Sequence, residues 1–239
     1  MISTNQAIVL SKIKYRDNDL IVRCYTLKRG VVSYLIRNAY KSKNNRAIAY
    51  YQPLSQLSIL EKYNQNQSLQ YITEVKSGYV YKSLHTNVLK GSIVIFISEI
   101  LASVLKEEEP NIGLFQFIEL ALQWLDTEDN YSNFHLLFLV ELTKFLGFYP
   151  DKRMPDNAIF NLQTGAFETH VIDKFSVSEQ NNTILQALLG MNFDELNQLR
   201  LNANQRKNFL NSILLYFELH LGYFKKPKSL EVFSQLFNQ

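Results

Sequence analysis

The 239-residue chain is long enough for one large domain or two smaller ones, and its 46% hydrophobic content suffices for a packed core. A single cysteine, Cys24, excludes an internal disulfide framework and cannot by itself build a cysteine-rich zinc site. The N-terminus has no basic stretch ahead of an apolar one, and the longest apolar run, 93–101, is broken by polar residues. We therefore expect a cytoplasmic protein in a reducing compartment, with neither secretion nor a membrane span.

Charge is distributed unevenly along the chain. The first 54 residues hold ten of the 25 Lys and Arg but only two of the 22 Asp and Glu, so the remainder is acidic. Clustered Lys and Arg release counterions when they neutralise phosphates, which indicates a polyanion as the partner of the basic part. A basic domain without such a partner explains the charge alone equally well.

The first 80 residues predict β-strands. Short runs rich in β-branched and aromatic residues occupy 7–10, 20–25 and 31–36, separated by polar turns. Two further runs follow at 56–60 and 69–75, on either side of a polar turn. Five short strands of this spacing favour a small barrel, of which the OB fold is the common nucleic-acid-binding example.

From Lys82 the hydrophobic period becomes helical. A stripe at three-to-four-residue intervals predicts an amphipathic helix that ends near Pro110, with these residues on its apolar face: Ile93, Ile97, Ile100 and Val104. Residues 114–125 and 134–146 predict two more helices, and Gly147 ends the second of them.

Residues 147–170 predict an irregular lobe with a hairpin that turns at Thr164 and Gly165. Helices resume after it, and the last long apolar stripe is formed by Leu210, Ile213, Leu214, Phe217, Leu221 and Phe224. The predicted fold class is α+β. An N-terminal OB-fold β-barrel at 1–80 is followed by a mostly α-helical C-terminal domain at 81–239, which carries a small irregular hairpin lobe at about 148–172.

No catalytic motif is recognisable: there is no phosphate-binding Walker A loop, dinucleotide fingerprint, nucleophile elbow or zinc-protease helix. The four histidines lack the spacing of a helical metal site: His85, His135, His170 and His220. We therefore predict that the protein is not an enzyme and uses no cofactor or metal. A hydrolytic site formed by histidines and carboxylates that converge in space stays open as an alternative.

Eleven residues are candidate DNA contacts, because cations neutralise phosphates and exposed tyrosines stack on bases. They are Lys12, Lys14, Arg16, Arg23, Lys28, Arg29, Arg37, Tyr40, Lys41, Lys43 and Arg46. The strongest local feature is the segment 37–46, which lies between two predicted strands and should present four of the cations and Tyr40 on an exposed loop. A merely solvated basic loop is the alternative for this segment.

Segments throughout the chain carry a resemblance to a known family. In the N-terminal part they are 7–10, Tyr15, Asp17, Asp19, 21–22, Thr26, Gly30 and 37–42. In the centre and at the end they are 107–111, 133–137, 145–151, Tyr216, 220–222 and 228–230. Together they resemble the bacterial RecO family of recombination and repair mediators over nearly the full length.

One departure from the family concerns zinc. Many members place four zinc-binding cysteines after the segment equivalent to 148–151, whereas this chain has Lys-Arg-Met-Pro-Asp-Asn at 152–157. The zinc should therefore be missing, with the lobe held instead by packing of the hairpin residues Ile159, Phe160, Leu162 and Phe167.

The resemblance implies a function and a set of partners. Such a protein binds single- and double-stranded DNA, anneals complementary strands and works with RecR, often also with RecF. It helps to load RecA onto strands coated by single-strand-binding protein, whose C-terminal tail is a further partner. DNA repair and recombination in the cytoplasm, at the nucleoid, would be its setting. The alternative is a non-catalytic adaptor whose basic OB barrel binds RNA or another protein.

Overall fold

A computed structural model of the protein describes residues 2–41, 48–105, 110–169 and 173–237. The chain forms two compact units, Met1–Asp126 and Thr127–Gln239. Among these residues, the first unit has a β-barrel, a short 3-10 helix at Ala49–Tyr51 and two α-helices, and the second has further helices and a short hairpin. A boundary between separately folding domains near residue 80 stays a prediction.

The barrel is built from the five predicted strands. They are β1 (Ile2–Tyr15), β2 (Asp19–Thr26), β3 (Gly30–Ile36), β4 (Gln56–Lys62) and β5 (Leu69–Ser77). They close in the order β1-β2-β3-β5-β4, with a parallel contact between β3 and β5 and antiparallel pairing elsewhere. This closed five-stranded barrel confirms the predicted OB fold.

Strand β1 closes the barrel because it is long enough to pair with two other strands. Its first half pairs with β4 and its second half with β2, and the register shifts between Val9 and Ser11. Such a bulge bends a strand, so one strand can serve two neighbours. The sequence predicts only 7–10 as a strand, because the polar residues on either side enter the sheet through pairing and not through a hydrophobic pattern of their own.

Alternate residues of the strands fill the barrel. The buried cluster comprises Ala7, Val9, Leu20, Val22, Cys24, Val32, Tyr34, Ala39, Tyr51, Leu57 and Ile59. Within β2 and β3 these residues alternate along the strand, Leu20, Val22 and Cys24 and then Val32 and Tyr34, so every second side chain faces the barrel interior.

After the barrel, the described part of the first unit has two α-helices, α1 (Val88–Val104) and α2 (Ile112–Thr127). The Asn87 side chain caps α1 by accepting hydrogen bonds from the backbone of Leu89 and Lys90. The predicted stripe of α1 is buried, from Ile93 to Val104. On the barrel, the Tyr25 hydroxyl donates to the carbonyl of Asn111 at 3.2 Å, so β2 is fastened to the start of α2.

The second unit begins with α3 (Phe134–Leu146), whose bounds match the prediction, and Gly147 ends it in the left-handed conformation, with φ of +85°. The elements that follow are β6 (Ile159–Asn161), β7 (Ala166–Glu168), α4 (Glu179–Leu188), a 3-10 helix (Phe193–Gln198), α5 (Ala203–His220) and α6 (Leu230–Leu236).

Strands β6 and β7 form the predicted hairpin, with Phe160 paired to Phe167. The side chains of Phe160, Leu162 and Phe167 are buried, whereas Ile159 is half-buried. At the turn, Gly165 has a φ of +71°, and a Cβ there would lie 2.7 Å from the Tyr216 hydroxyl oxygen. Packing thus holds this lobe, as the sequence predicts, and only glycine fits its turn.

A buried carboxylate fastens the chain between β5 and α1 to the end of α2. Asp126 is 2% exposed and accepts hydrogen bonds from the backbone N–H groups of Lys82, Ser83 and Leu84, each at 2.8 Å. Burial by itself would raise the pKa of Asp126, but these hydrogen bonds outweigh it and lower the pKa. The ionised carboxylate therefore stabilises the connection from the barrel to the helices.

Replacing Asp126 with Ala should lower the free energy of unfolding by about 3 kcal/mol, because buried backbone donors lose their acceptor. Urea unfolding measures the change, with Asp129→Ala, an exposed carboxylate nearby, as the matched control.

Because the pKa of Asp126 is lowered on folding, its contribution to the free energy of unfolding is complete above about pH 4 and disappears as the pH falls through the folded pKa. Equal losses in the two variants would contradict this role.

Candidate nucleic-acid interface

Two turns meet at one end of the barrel. The backbone N–H of Tyr40, after β3, donates to the carbonyl of Asn18 in the β1–β2 turn at 3.1 Å. The backbone N–H of Asn38 donates to the Asp19 carboxylate at 2.8 Å. Arg16 and Asn38 have φ values of +52° and +54°, the left-handed conformation that tight turns use. These contacts make one surface of two segments that are distant in sequence.

We call this surface the basic end, defined by Lys14, Tyr15, Arg16, Arg37, Tyr40, Lys41 and Tyr71. Two of its cations lie over tyrosine rings: Lys14 is 5.7 Å from the Tyr40 centroid, and Arg37 is 5.3 Å from that of Tyr71. The four cations are exposed, and no ion pair involving any of them occurs in the described part of the chain. The basic end thus combines unneutralised charge with aromatic faces, the combination that single strands require.

Lys12 adjoins the basic end. It lies two residues before Lys14 on the same face of β1, and both side chains are exposed. Partial burial lowers the pKa of Lys12. The structure thus places five of the predicted DNA contacts and Tyr40 in one region of the barrel.

Lys28 and Arg29 lie elsewhere, in the β2–β3 turn. The eight residues of β2 separate this turn from the β1–β2 turn of the basic end, roughly 25 Å along the strand at about 3.3 Å per residue. The Lys28 ammonium donates to the carbonyl of Thr4 at 2.7 Å. The Arg29 guanidinium donates from Nε to Glu61 at 3.0 Å and lies 3.9 Å from the Tyr63 ring centroid.

Arg23 directs its guanidinium at the end of α1. Its two terminal nitrogens donate to the carbonyls of Ala102 and Leu105, both at 2.9 Å. These carbonyls belong to the last turn of the helix, where backbone acceptors lack helical partners. The geometry gives Arg23 a helix-capping position, and its contact with DNA stays a prediction.

The two remaining candidates, Lys43 and Arg46, lie outside the described residues.

Glu61 is the buried centre of the barrel's polar contacts. It is 0% exposed and accepts hydrogen bonds from the Asn5 amide at 3.0 Å, the Arg29 guanidinium at 3.0 Å and the Tyr34 hydroxyl at 2.5 Å. Burial, then the hydrogen bond to Glu61, raises the pKa of Tyr34, so the phenol stays protonated. The carboxylate thus joins β1, β3, β4 and the β2–β3 turn.

A cleft runs beside the β4–β5 loop, residues 63–68. It has a volume of about 630 Å³ and is lined by Arg29, Lys62, Tyr63, Asn64, Gln65, Asn66, Gln67 and Tyr71. In OB folds, the loops β1–β2 and β4–β5 and the face of strands 2 and 3 bind oligonucleotides. Tyr71 also accepts a hydrogen bond from Arg37 at 3.3 Å, so the cleft continues into the basic end.

Sequence analysis missed the two tyrosines of the cleft. Tyr63 and Tyr71 bracket the polar turn 64–67, and that pattern, aromatic residues on both sides of an amide-rich turn, was the available signal. Their partners Arg29 and Arg37 are distant in sequence, so only the barrel topology brings the pairs together.

The histidines lie in packed surroundings in the described segments. His135 is buried, and burial, followed by the charge of Arg206, lowers its pKa to about 3. His220 stacks on Phe148 with ring centroids 5.2 Å apart. Within 2–41, 48–105, 110–169 and 173–237, no group of three or more His, Cys, Asp or Glu could hold a metal ion. His170 lies outside these ranges, and the expectation of a zinc-free protein stays a prediction.

Among the described helices, none has the length and apolar character needed to cross a membrane.

A closed OB barrel with a basic, tyrosine-rich end is typical of the class of nucleic-acid-binding proteins. Comparison with known proteins narrows the class. The family model described as Recombination protein O N terminal matches residues 1–80, and the model described as Recombination protein O C terminal matches residues 85–154.

Curated relatives match over the full length. The chain is 43% identical to DNA repair protein RecO of Flavobacterium psychrophilum over 98% of both chains. It is 38% identical to DNA repair protein RecO of Christiangramia forsetii over 99% of this chain and 100% of the relative. The chain therefore belongs to the RecO family, and this membership supports a role in DNA repair and recombination.

Proposed function

We propose that the protein is a non-catalytic mediator of recombination that binds single- and double-stranded DNA through the basic end and anneals complementary strands. With RecR, and with RecF where it takes part, it helps to load RecA onto strands coated by single-strand-binding protein, whose C-terminal tail it binds. It acts in the cytoplasm, at the nucleoid. The proposal rests on one observation: hydrogen bonds join the β1–β2 turn to the loop after β3, so their cations form one surface.

The charges of the basic end support phosphate binding. Arg16, Arg37 and Lys41 are exposed and project from turns, where several can reach one phosphodiester backbone. Each neutralised phosphate releases counterions, which favours binding at low salt and is independent of base sequence. Sequence-tolerant binding is what a mediator requires, because it meets DNA of every sequence.

The aromatic residues of the basic end support the handling of single strands. Tyr40 is 37% exposed, and Tyr71 lies between Arg37 and the cleft. Base stacking on such rings contributes about 1–3 kcal/mol per base and tolerates any base. Contacts of this strength hold a strand without preventing it from leaving for its complement.

Binding should weaken when two cations of the basic end are removed. For the double variant Arg37→Gln, Lys41→Gln, we expect the slope of log K against log salt to decrease in magnitude by about 1.4, or about 0.7 for each lost contact with single-stranded DNA. Fluorescence anisotropy of a labelled oligonucleotide over a salt series measures this. The same assay with an RNA of equal length is the comparison. Tighter binding of the RNA than of the DNA would favour the alternative function as an RNA-binding adaptor.

The matched control is Lys226→Gln, Lys228→Gln in the second unit, where Lys226 already pairs with Glu218 at 3.1 Å. This control should retain the affinity and slope of the wild type. Loss of binding in the control alone would move the DNA site to the helical unit.

Annealing should require no nucleotide. Complementary strands pair spontaneously once their repulsion is screened, and the sequence has no phosphate-binding loop for ATP. A quenching assay with two complementary oligonucleotides should show equal acceleration with and without ATP. The charge-reversed variant Arg37→Glu, Lys41→Glu should lose most of it. A strict ATP requirement, or full activity of the variant, would refute this mechanism.

A further inference from the structure

The β4–β5 loop carries four consecutive amide side chains on a rigid backbone. Gln70, 3% exposed, braces it: Oε1 accepts from the backbone N–H of Asn64 at 2.7 Å, and Nε2 donates to the carbonyls of Asn64 and Gln67 at 2.9 and 2.5 Å. The backbone N–H of Gln67 also donates to the carbonyl of Asn64 at 3.0 Å. The exposed side chains of Gln65, Asn66 and Gln67 line the cleft from this fixed loop. Such preorganisation lowers the entropy lost on binding.

Arg29 lines the same cleft as these amides. Stacking on Tyr63 at 3.9 Å and the hydrogen bond from Nε to Glu61 fix the plane of its guanidinium. Within the described residues, Nε is the only guanidinium nitrogen of Arg29 that donates to a protein acceptor. The two terminal nitrogens are therefore available as a fork of donors to a ligand in the cleft.

The net charge around Arg29 decides which part of a nucleotide the cleft prefers. The buried carboxylate of Glu61 neutralises Arg29, so the cleft offers directed hydrogen bonds with little net charge. A phosphate gains most from unpaired cations, which the basic end supplies. A base edge, which is neutral and rich in hydrogen-bonding groups, suits the paired arginine and the amides.

Among the bases, guanine matches the donor fork. Its O6 and N7 are adjacent acceptors that an arginine can contact together, whereas adenine presents a donor beside N7 and the pyrimidines lack N7. The amide oxygens of Gln65 and Gln67 can accept from the remaining N–H groups of guanine. The cleft volume of about 630 Å³ lies within the range of small-molecule sites, about 300–1,000 Å³.

We propose that this cleft is a base-binding pocket that takes one unstacked guanine, read by Arg29 and the amides of the β4–β5 loop. The proposal rests on the DNA binding proposed above. The phosphate contacts of the basic end have no base preference, and the pocket would add one. Any single strand would bind, and a strand with a guanine in the pocket would bind more tightly.

Anisotropy titrations of the full chain with three 12-nucleotide single strands test the pocket. The strands are all dT, dT with one central dG, and dT with one central dA. We expect the dG strand to bind about fivefold more tightly than the other two, the lower end of discrimination by a bidentate arginine contact. Equal binding of all three would overturn the pocket and leave the proposed function intact, whereas no binding of any strand would overturn the proposed function.

Two variants assign the preference to the pocket. Gln65→Ala, Gln67→Ala changes only exposed side chains, and Arg29→Gln, Glu61→Gln removes the arginine without leaving a buried carboxylate unpaired. Both should bind the dG strand no more tightly than the dT strand. The control Arg37→Gln should weaken all three strands by the same factor. A dG preference retained in both pocket variants would overturn the proposal.

Discussion

The buried carboxylate of Glu61 is the interaction on which the proposed DNA-binding surface depends. Removing a carboxylate from water costs several kcal/mol, and only a complete set of partners offsets that cost. Asn5, Arg29 and Tyr34 supply the partners, and they come from different strands and turns. The barrel must therefore close correctly before the charge is satisfied, and closure places Arg29 beside the β4–β5 loop.

The barrel holds two kinds of cation, those that are bonded within the protein and those that are exposed. Arg29 is neutralised within the protein, and Arg23 is occupied by the carbonyls at the end of α1. The cations of the basic end keep their charge for a ligand. A nucleic acid would therefore meet attraction without base preference at one end of β3, and directed hydrogen bonds along the β4–β5 loop.

The sequence predicts the elements of the fold better than the site. The β-branched and aromatic runs of β2 and β3, and the helical stripe of α1, are apolar because the structure buries them, so those elements lie where expected. The predicted list of basic residues could not distinguish Arg23 from Arg37. The sequence shows that each is an arginine, but it does not show whether the side chain caps a helix or faces solvent. Their different positions depend on which strand faces α1, and only the closed barrel specifies that.

The central claim, that DNA lies along the basic end and the β4–β5 loop, is tested most directly by hydrogen–deuterium exchange of the full chain with and without a dT oligonucleotide. Exchange should slow in residues 15–19, 36–41 and 63–71, where turns and loop would be covered. Residues 203–230 of the second unit should be unaffected. Protection confined to 203–230 would contradict the account.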